Sequence, residues 1–166
     1  MPQSDVQEIL LAHDRWATEQ ILNACMKLKD EEFHQNFDIG PGSLHNTNSH
    51  ILGAIRTWTQ TLAGQEVTVR LDLDGKQRSP TELLALLKTC TDEFGAQVHR
   101  RPLDEIVSRV REGKAYEYTR GAVFAHVITH GMHHRAQCLN MLRQLGVKPL
   151  PPSSVAEWTR TVDAGK

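Results

Sequence analysis

No apolar run in this chain approaches the ~20 residues needed to cross a bilayer, which excludes a membrane-spanning helix. Neither sign of charge dominates: 19 basic and 20 acidic residues leave a formal net charge of −1. That balance removes the electrostatic reason to expect nucleic acid or an anionic membrane as a partner. Basic clusters such as "HRRP" at 99–102 are short. Cysteine is scarce and odd in number. Cys25, Cys90 and Cys138 stand far apart, make no CxxC pair and imply no disulfide framework. The N-terminal stretch "MPQSDVQEILLAHDRW" lacks the basic region and cleavable apolar stretch of an export signal. A cytoplasmic protein with reduced thiols is the expectation. Repeats and low-complexity segments are also missing, and 166 residues suit one domain, 1–166, with a sizeable core.

What the chain does have is histidine in one place. "HVITHGMHHRAQ" at 126–137 holds four of the nine histidines. Proline is absent from Gly121 to Gly146, and Phe124, Ile128, Met132, Leu139, Leu142 and Leu145 recur near a helical period. Gly146, with Pro149 just beyond, reads as the stop. Residues four apart on a helix sit one above the other, so His126, His130 and His134 line one face. His133 lies about 100° away from His134. Two imidazoles one turn apart can chelate one transition-metal ion. Gly131 stands where an HExxH peptidase helix carries its glutamate, which argues against a metalloprotease. No Ser-His-Asp or Cys-His arrangement offers metal-free nucleophilic chemistry.

The remaining pattern predicts an all-α, four-helix bundle. A first helix runs from about Ser4 to Lys29, with Ser4 as N-cap and Gln7 as its capping-box partner. Ile9, Leu10, His13, Trp16, Ala17, Ile21 and Ala24 mark its inner stripe. Residues 30–42 read as a polar connection. Ser43 caps a second helix ending near Ala63, with Leu44, Thr47, Ile51, Ile55, Trp58 and Leu62 inward. A long connection, 64–80, contains "VTVRLDLDG", which alternates like a strand and ends in a turn signal. Its length lets the third helix start at the same end of the bundle as the second. Ser79 caps that third helix, and Pro80 stands in its first turn. "EIVSRVREGKAYEYT" predicts a short β-ribbon before the fourth helix. The tail, about 149–166, is expected to be extended, with Trp158 anchoring it to the body or to a neighbouring subunit.

His50 sits mid-way along the second helix and can add a third nitrogen to His130 and His134, because bundle cores build metal sites from facing helices. Three protein ligands with one open position is the catalytic pattern for zinc; structural zinc is normally closed by four.

"SLHNTNSHILGAIRTWTQTLAG", followed much later by "HVITHGMHHRAQCLNMLRQLG", resembles the DinB/YfiT-like family, and "HDRWATEQIL" resembles that family's first helix. The resemblance implies a four-helix bundle of up-down-down-up topology with a divalent metal held by His50, His130 and His134. It implies a homodimer, and in some relatives the transfer of low-molecular-weight thiols. Ile55 departs from the family pattern, in which an acid commonly follows "HILGA". The metal expected is a divalent transition metal, with zinc or nickel ahead of iron or copper. An open position there would bind water or a small-molecule thiol and lower its pKa. Thiol transfer and hydrolysis by metal-activated water fit the ligands equally well, and a non-catalytic, metal-carrying stress-response protein is the rival from another class. Around the ligands, His126 and His13 are candidates to line the pocket. Arg135 is expected to hold a structural acid ahead of a substrate carboxylate. Gln137 and Cys138 follow the ligands, Cys138 as a buried packing residue rather than a ligand. His45 is expected at the periphery, and His133 at the surface or an interface.

Overall fold

The computed structural model describes residues 5–164. Six helices and one two-stranded antiparallel sheet follow in the order α1 (Val6–Cys25), α2 (Asp30–His34), α3 (Leu44–Leu62), α4 (Pro80–His99), β1 (Ile106–Arg111), β2 (Lys114–Thr119), α5 (Arg120–Gln144) and α6 (Val155–Ala164). The expected second, third and fourth helices are therefore α3, α4 and α5. Local caps set their starts. The Ser43 hydroxyl accepts from the Asn46 N–H at 3.0 Å. The Ser79 hydroxyl accepts from the Glu82 N–H at 3.3 Å, while Glu82 reaches back to the Ser79 N–H at 2.8 Å. Such reciprocal bonds satisfy two orphan donors of the first turn.

Four long helices surround the core: α3 packs on both α4 and α5, and α1 packs on the same two. Leu22, Leu44, Ile51, Leu87, Met141 and Leu142 are fully enclosed between them. Threonines are also buried in α3, and three settle their hydroxyls locally: Thr47 donates to the Ser43 carbonyl at 2.7 Å, Thr59 to the Ile55 carbonyl at 2.8 Å and Thr61 to the Thr57 carbonyl at 3.1 Å. A buried hydroxyl so bonded avoids the desolvation cost of an unpaired one. Arg120 ties three helices together, donating to the carbonyl of Leu62 at 2.9 Å and to that of Gln97.

Several expectations are corrected. The first helix ends at Cys25 rather than Lys29, and residues 30–34 form the short helix α2 instead of a plain connection. Glu32 accepts from the Lys29 N–H at 2.9 Å, so a new helix start is nucleated where continuation was expected. Ser4 lies outside the described residues; Asp5 is the observed N-cap, accepting from the Gln7 N–H at 2.7 Å. The alternating stretch at 67–73 is not a strand, because no neighbouring strand pairs with it among the described residues; the adjacent Leu71 and Asp72 both turn inward. Met132, expected in the core stripe of α5, is 60% exposed. The tail is not extended throughout: after Ser153 it winds into α6. Trp158 does anchor it, with its ring 6.4 Å from that of His13 on α1.

The β-ribbon forms as expected. Arg111 pairs with Lys114, leaving Glu112 and Gly113 as a two-residue turn with φ of +52° and +74°. Both positive values are those of the hairpin turn whose twist matches its strands. The hairpin packs by β1 on α3 and by β2 on α5. It thereby walls one side of the groove between the two histidine-bearing helices.

Candidate metal centre

α3 and α5 face each other, and their histidines meet. One ring nitrogen from each of His50, His130 and His134 lies within 4.8 Å of the other two. The Nε2 atoms of His50 and His130 are 3.1 Å apart. Two nitrogens on one tetrahedral ion at ~2.0–2.1 Å would sit about 3.3–3.4 Å apart. The closest pair is thus within a few tenths of an ångström of a chelating separation. Three imidazoles are also the donor set that suits a borderline-soft divalent ion. These residues fit a metal.

The far side of two rings is tied down. His50 Nδ1 lies 2.8 Å from Asp72 Oδ2, and His134 Nδ1 lies 2.7 Å from Gln137 Oε1. A proton on Nδ1 would donate to these acceptors and leave the Nε2 lone pair free, the arrangement that orients metal-binding imidazoles; Arg70 Nη2 also stands 2.8 Å from His50 Nδ1. Arg70 grips Asp72 through both Nε, at 3.0 Å, and Nη2. Burial alone would raise the Asp72 pKa, but the hydrogen bonds from Arg70 and His50 outweigh it and hold the carboxyl ionised. Asp72 reaches α3 because position 53 is glycine: a Cβ there would meet Asp72 Oδ1 at 2.8 Å. Burial and the neighbouring imidazoles push the His130 pKa down to about 3. Burial also lowers that of His134, against the Gln137 hydrogen bond. Both rings therefore stand neutral, with lone pairs available.

The other candidates separate. His126 stands one turn before His130, with ring centroids 5.5 Å apart, and packs on Trp58 at 5.1 Å. It lines the cavity. His13 does not: its Nε2 bonds the Ser153 carbonyl at 2.9 Å, on the α6 side of α1. Arg135 turns the opposite way from the three clustered histidines and pairs with Asp14, also donating to Thr18 Oγ1 at 3.2 Å. Cys138 is fully buried, its thiol pKa pushed well up by desolvation, and takes no part in the cluster. His133 is exposed, as expected. His45 lies outside the histidine cluster yet buried, its Nε2 accepting from the Arg78 N–H at 3.2 Å.

Sequence reasoning missed Asp72, Arg109 and the position of Trp58. Asp72 was hidden inside the stretch read as a strand. The signal was there: a carboxylate in the connection following the His50 helix is the natural outer partner for a metal-binding imidazole. Trp58 was assigned to the core, but it is half-exposed and faces the groove. An open cavity of about 700 Å³ rises above His50 and His130, walled by Trp58, Tyr118 and Arg109.

The sequence profile of the DinB family matches residues 1–160. The chain belongs to the DinB family. It is 23% identical over 158 residues to "Protein DinB" of Bacillus subtilis strain 168, covering 89% of this chain and 91% of that one. It is 26% identical over 158 residues to the protein YizA of the same strain, covering 90% and 91%. Among solved structures, a DinB-like protein of Bacillus cereus ATCC 10987 superposes with a TM-score of 0.66 at 19% identity, over 86% of this chain and 92% of the other. The DinB-like protein YjoA of Bacillus subtilis gives 0.62 at 16%, over 87% and 97%. At such identities the structural likeness carries the fold alone.

Proposed function

We propose that this DinB-family chain is a metal-dependent enzyme acting on a small molecule, with His50, His130 and His134 holding a divalent transition metal. One observation carries the reading: three imidazole nitrogens converge, those of His50 and His130 on residues that line an open cavity, and no acid or cysteine joins them among the described residues. A site with three protein ligands and an open side is built for exchange rather than for structural closure. A bound ion would supply Lewis acidity and lower the pKa of a water or thiol reaching it. The chain's own residues do the positioning. Asp72 and Gln137 fix the ring orientations of His50 and His134, while Trp58 and Tyr118 exclude water from one wall.

Thiol transfer is the favoured reaction, on the family resemblance. All three cysteines are free and buried, so the chain offers no thiolate of its own and the thiol would come from a small-molecule co-substrate. Zinc or nickel is the favoured ion. The reading extends to a single four-helix-bundle domain in up-down-down-up order, supported by the ring of helix contacts and the long α3–α4 connection. It also extends to a cytoplasmic homodimer, supported by exposed apolar side chains such as Val69 and Met132. Elemental analysis of the protein as purified, followed by a thiol-transfer screen of the loaded form, tests the core of the proposal. A stoichiometric transition metal with thiol-dependent turnover supports it. Protein that neither carries nor takes up a transition metal sinks it, and hydrolysis without thiol transfer would replace the reaction. Light scattering that finds a monomer at micromolar concentration removes the dimer.

A further inference from the structure

The cavity over the histidines is lined by three arginines and no acidic side chain. Two of the three are accounted for: Arg70 is paired with Asp72, and Arg111 Nε lies 3.3 Å from Glu112. Arg109 is different. It is half-buried on β1, its guanidinium carbon lies 5.1 Å over the Trp58 ring, and it has neither an ion pair nor a hydrogen bond among the described residues. Its Nε is buried without a partner. Stacking on an aromatic occupies the face of a guanidinium and leaves the in-plane N–H donors for a planar anion. A guanidinium that finds no partner within the protein favours a guest that accepts from its remaining N–H groups.

We infer that the substrate taken by this cavity is a small amphipathic carboxylate, held at its anionic end by Arg109 and directed at its reacting end toward His50, His130 and His134. This rests on the metal centre proposed above. One uncompensated guanidinium matches one carboxylate in charge and in fork geometry, whereas a phosphate dianion would leave a charge unmet. Trp58 and Tyr118, edge to face at 5.3 Å, form an aromatic wall for the body of the guest. The order along the wall is Arg109, Trp58, His126, His130, each packed on the next. Anion and reacting group are therefore separated by the width of that aromatic wall. A cavity of about 700 Å³ accommodates a molecule of that reach.

Calorimetric titration of the zinc-loaded protein with 4-(mercaptomethyl)benzoate, its amide, and 4-methylbenzoate separates the two ends. The acid is expected to bind at least about tenfold tighter than the amide, the scale of one charge-assisted pair. Arg109→Gln should reduce that preference to less than twofold, and Arg109→Lys should leave an intermediate value. Circular dichroism melting verifies that both variants remain folded. The acid-over-amide preference should survive His130→Ala, while the advantage of the thiol over 4-methylbenzoate should vanish there. Equal binding of acid and amide, no binding of either, or a preference that persists in Arg109→Gln overturns the inference. Loss of the thiol advantage in the native protein, with the acid preference intact, overturns the metal reading and leaves Arg109's role standing.

Discussion

The two faces of α5 pose the same problem and solve it in opposite ways. Both bury polar side chains. On the α1 side, Arg135 is enclosed at 3% exposure, and its charge is met by Asp14 with Thr18 alongside. On the α3 side, His50 and His134 are partnered at their outer nitrogens, and one ring nitrogen from each of His50, His130 and His134 lies within 4.8 Å of the other two. The first network closes on itself within the protein. The second is incomplete without a guest. Burial of polar groups thus does not by itself mark a functional site; the distinction lies in whether the protein supplies every partner. Even Gly131 belongs to the closed side: a Cβ there would meet Asp14 Oδ1 at 2.6 Å, so the residue that replaces a peptidase glutamate makes room for an ion pair.

The sharpest way to break this comparison is to open the closed face. Arg135→Ala leaves Asp14 buried without its counter-charge, which typically costs 3–5 kcal/mol, so roughly that loss is expected in urea denaturation. Replacing both partners with apolar residues, Asp14→Leu with Arg135→Met, should recover most of it. A single-variant loss below about 1 kcal/mol would show that the pair does not hold the closed face together.

Opening the other face should cost metal rather than fold. His130→Ala is expected to weaken zinc binding by more than about 100-fold, beyond what removing an outer partner does. Helicity should persist, because the enclosed apolar core, not the ion, holds the helices together. The melting temperature should no longer rise when metal is added, since only binding to the native state raises it. Circular dichroism with and without metal reads both effects. A coil-like spectrum would make the site structural, and undiminished metal content would remove His130 from the ligand set.

Asp72→Asn tests a smaller effect on the same face. Loss of a carboxylate behind a metal-binding imidazole typically costs 10–100-fold in affinity, and competition with a chromophoric chelator should find a loss in that range. Unchanged affinity would mean that Asp72 serves Arg70 alone.

The same contrast explains what was legible in the sequence. The starts of α3 and α4 were readable because Ser43 and Ser79 act on residues three positions away. The hairpin was readable because its turn is two residues long. His50 and the HxxxH pair stood out as residue types, although the meeting of α3 and α5 is tertiary and was expected from bundle packing and family resemblance rather than from local pattern. The end of α1 was missed although its signal, Glu32 accepting from the Lys29 N–H, is local; the other failures below depended on distant partners. The stretch at 67–73 alternates like a strand, yet a strand needs a neighbour, and Asp72 instead meets His50, 22 residues away. α6 is short, and its burial depends on Trp158 meeting His13 from the other end of the chain. His13 was assigned to the cavity from its stripe alone, when the carbonyl that it bonds, that of Ser153, is 140 residues distant.

The weakest expected effect concerns that C-terminal segment, which covers the closed side. Glu157 caps α6, accepting from the backbone N–H groups of Ser154 at 2.9 Å and Ser153 at 3.0 Å. Those bonds hold its pKa down to about 2, from an ordinary value of 4.5. A depressed folded-state pKa means that this carboxylate favours the folded segment above the ordinary value and loses that contribution as pH falls through the lowered one. Acidification from about pH 4.5 to 2 should therefore loosen the start of α6 and release Trp158 from His13. The cavity beside His50 and His130 is walled by Trp58, on a different helix, so its indole should respond separately. Two-dimensional NMR of the indole N–H groups follows both. The Trp158 signal should move toward its solvent-exposed position first, and Glu157→Gln should bring that change to neutral pH. If Trp58 and Trp158 instead change together at every pH, the two faces of α5 unfold as one unit, and the closed side gains nothing from its own strap.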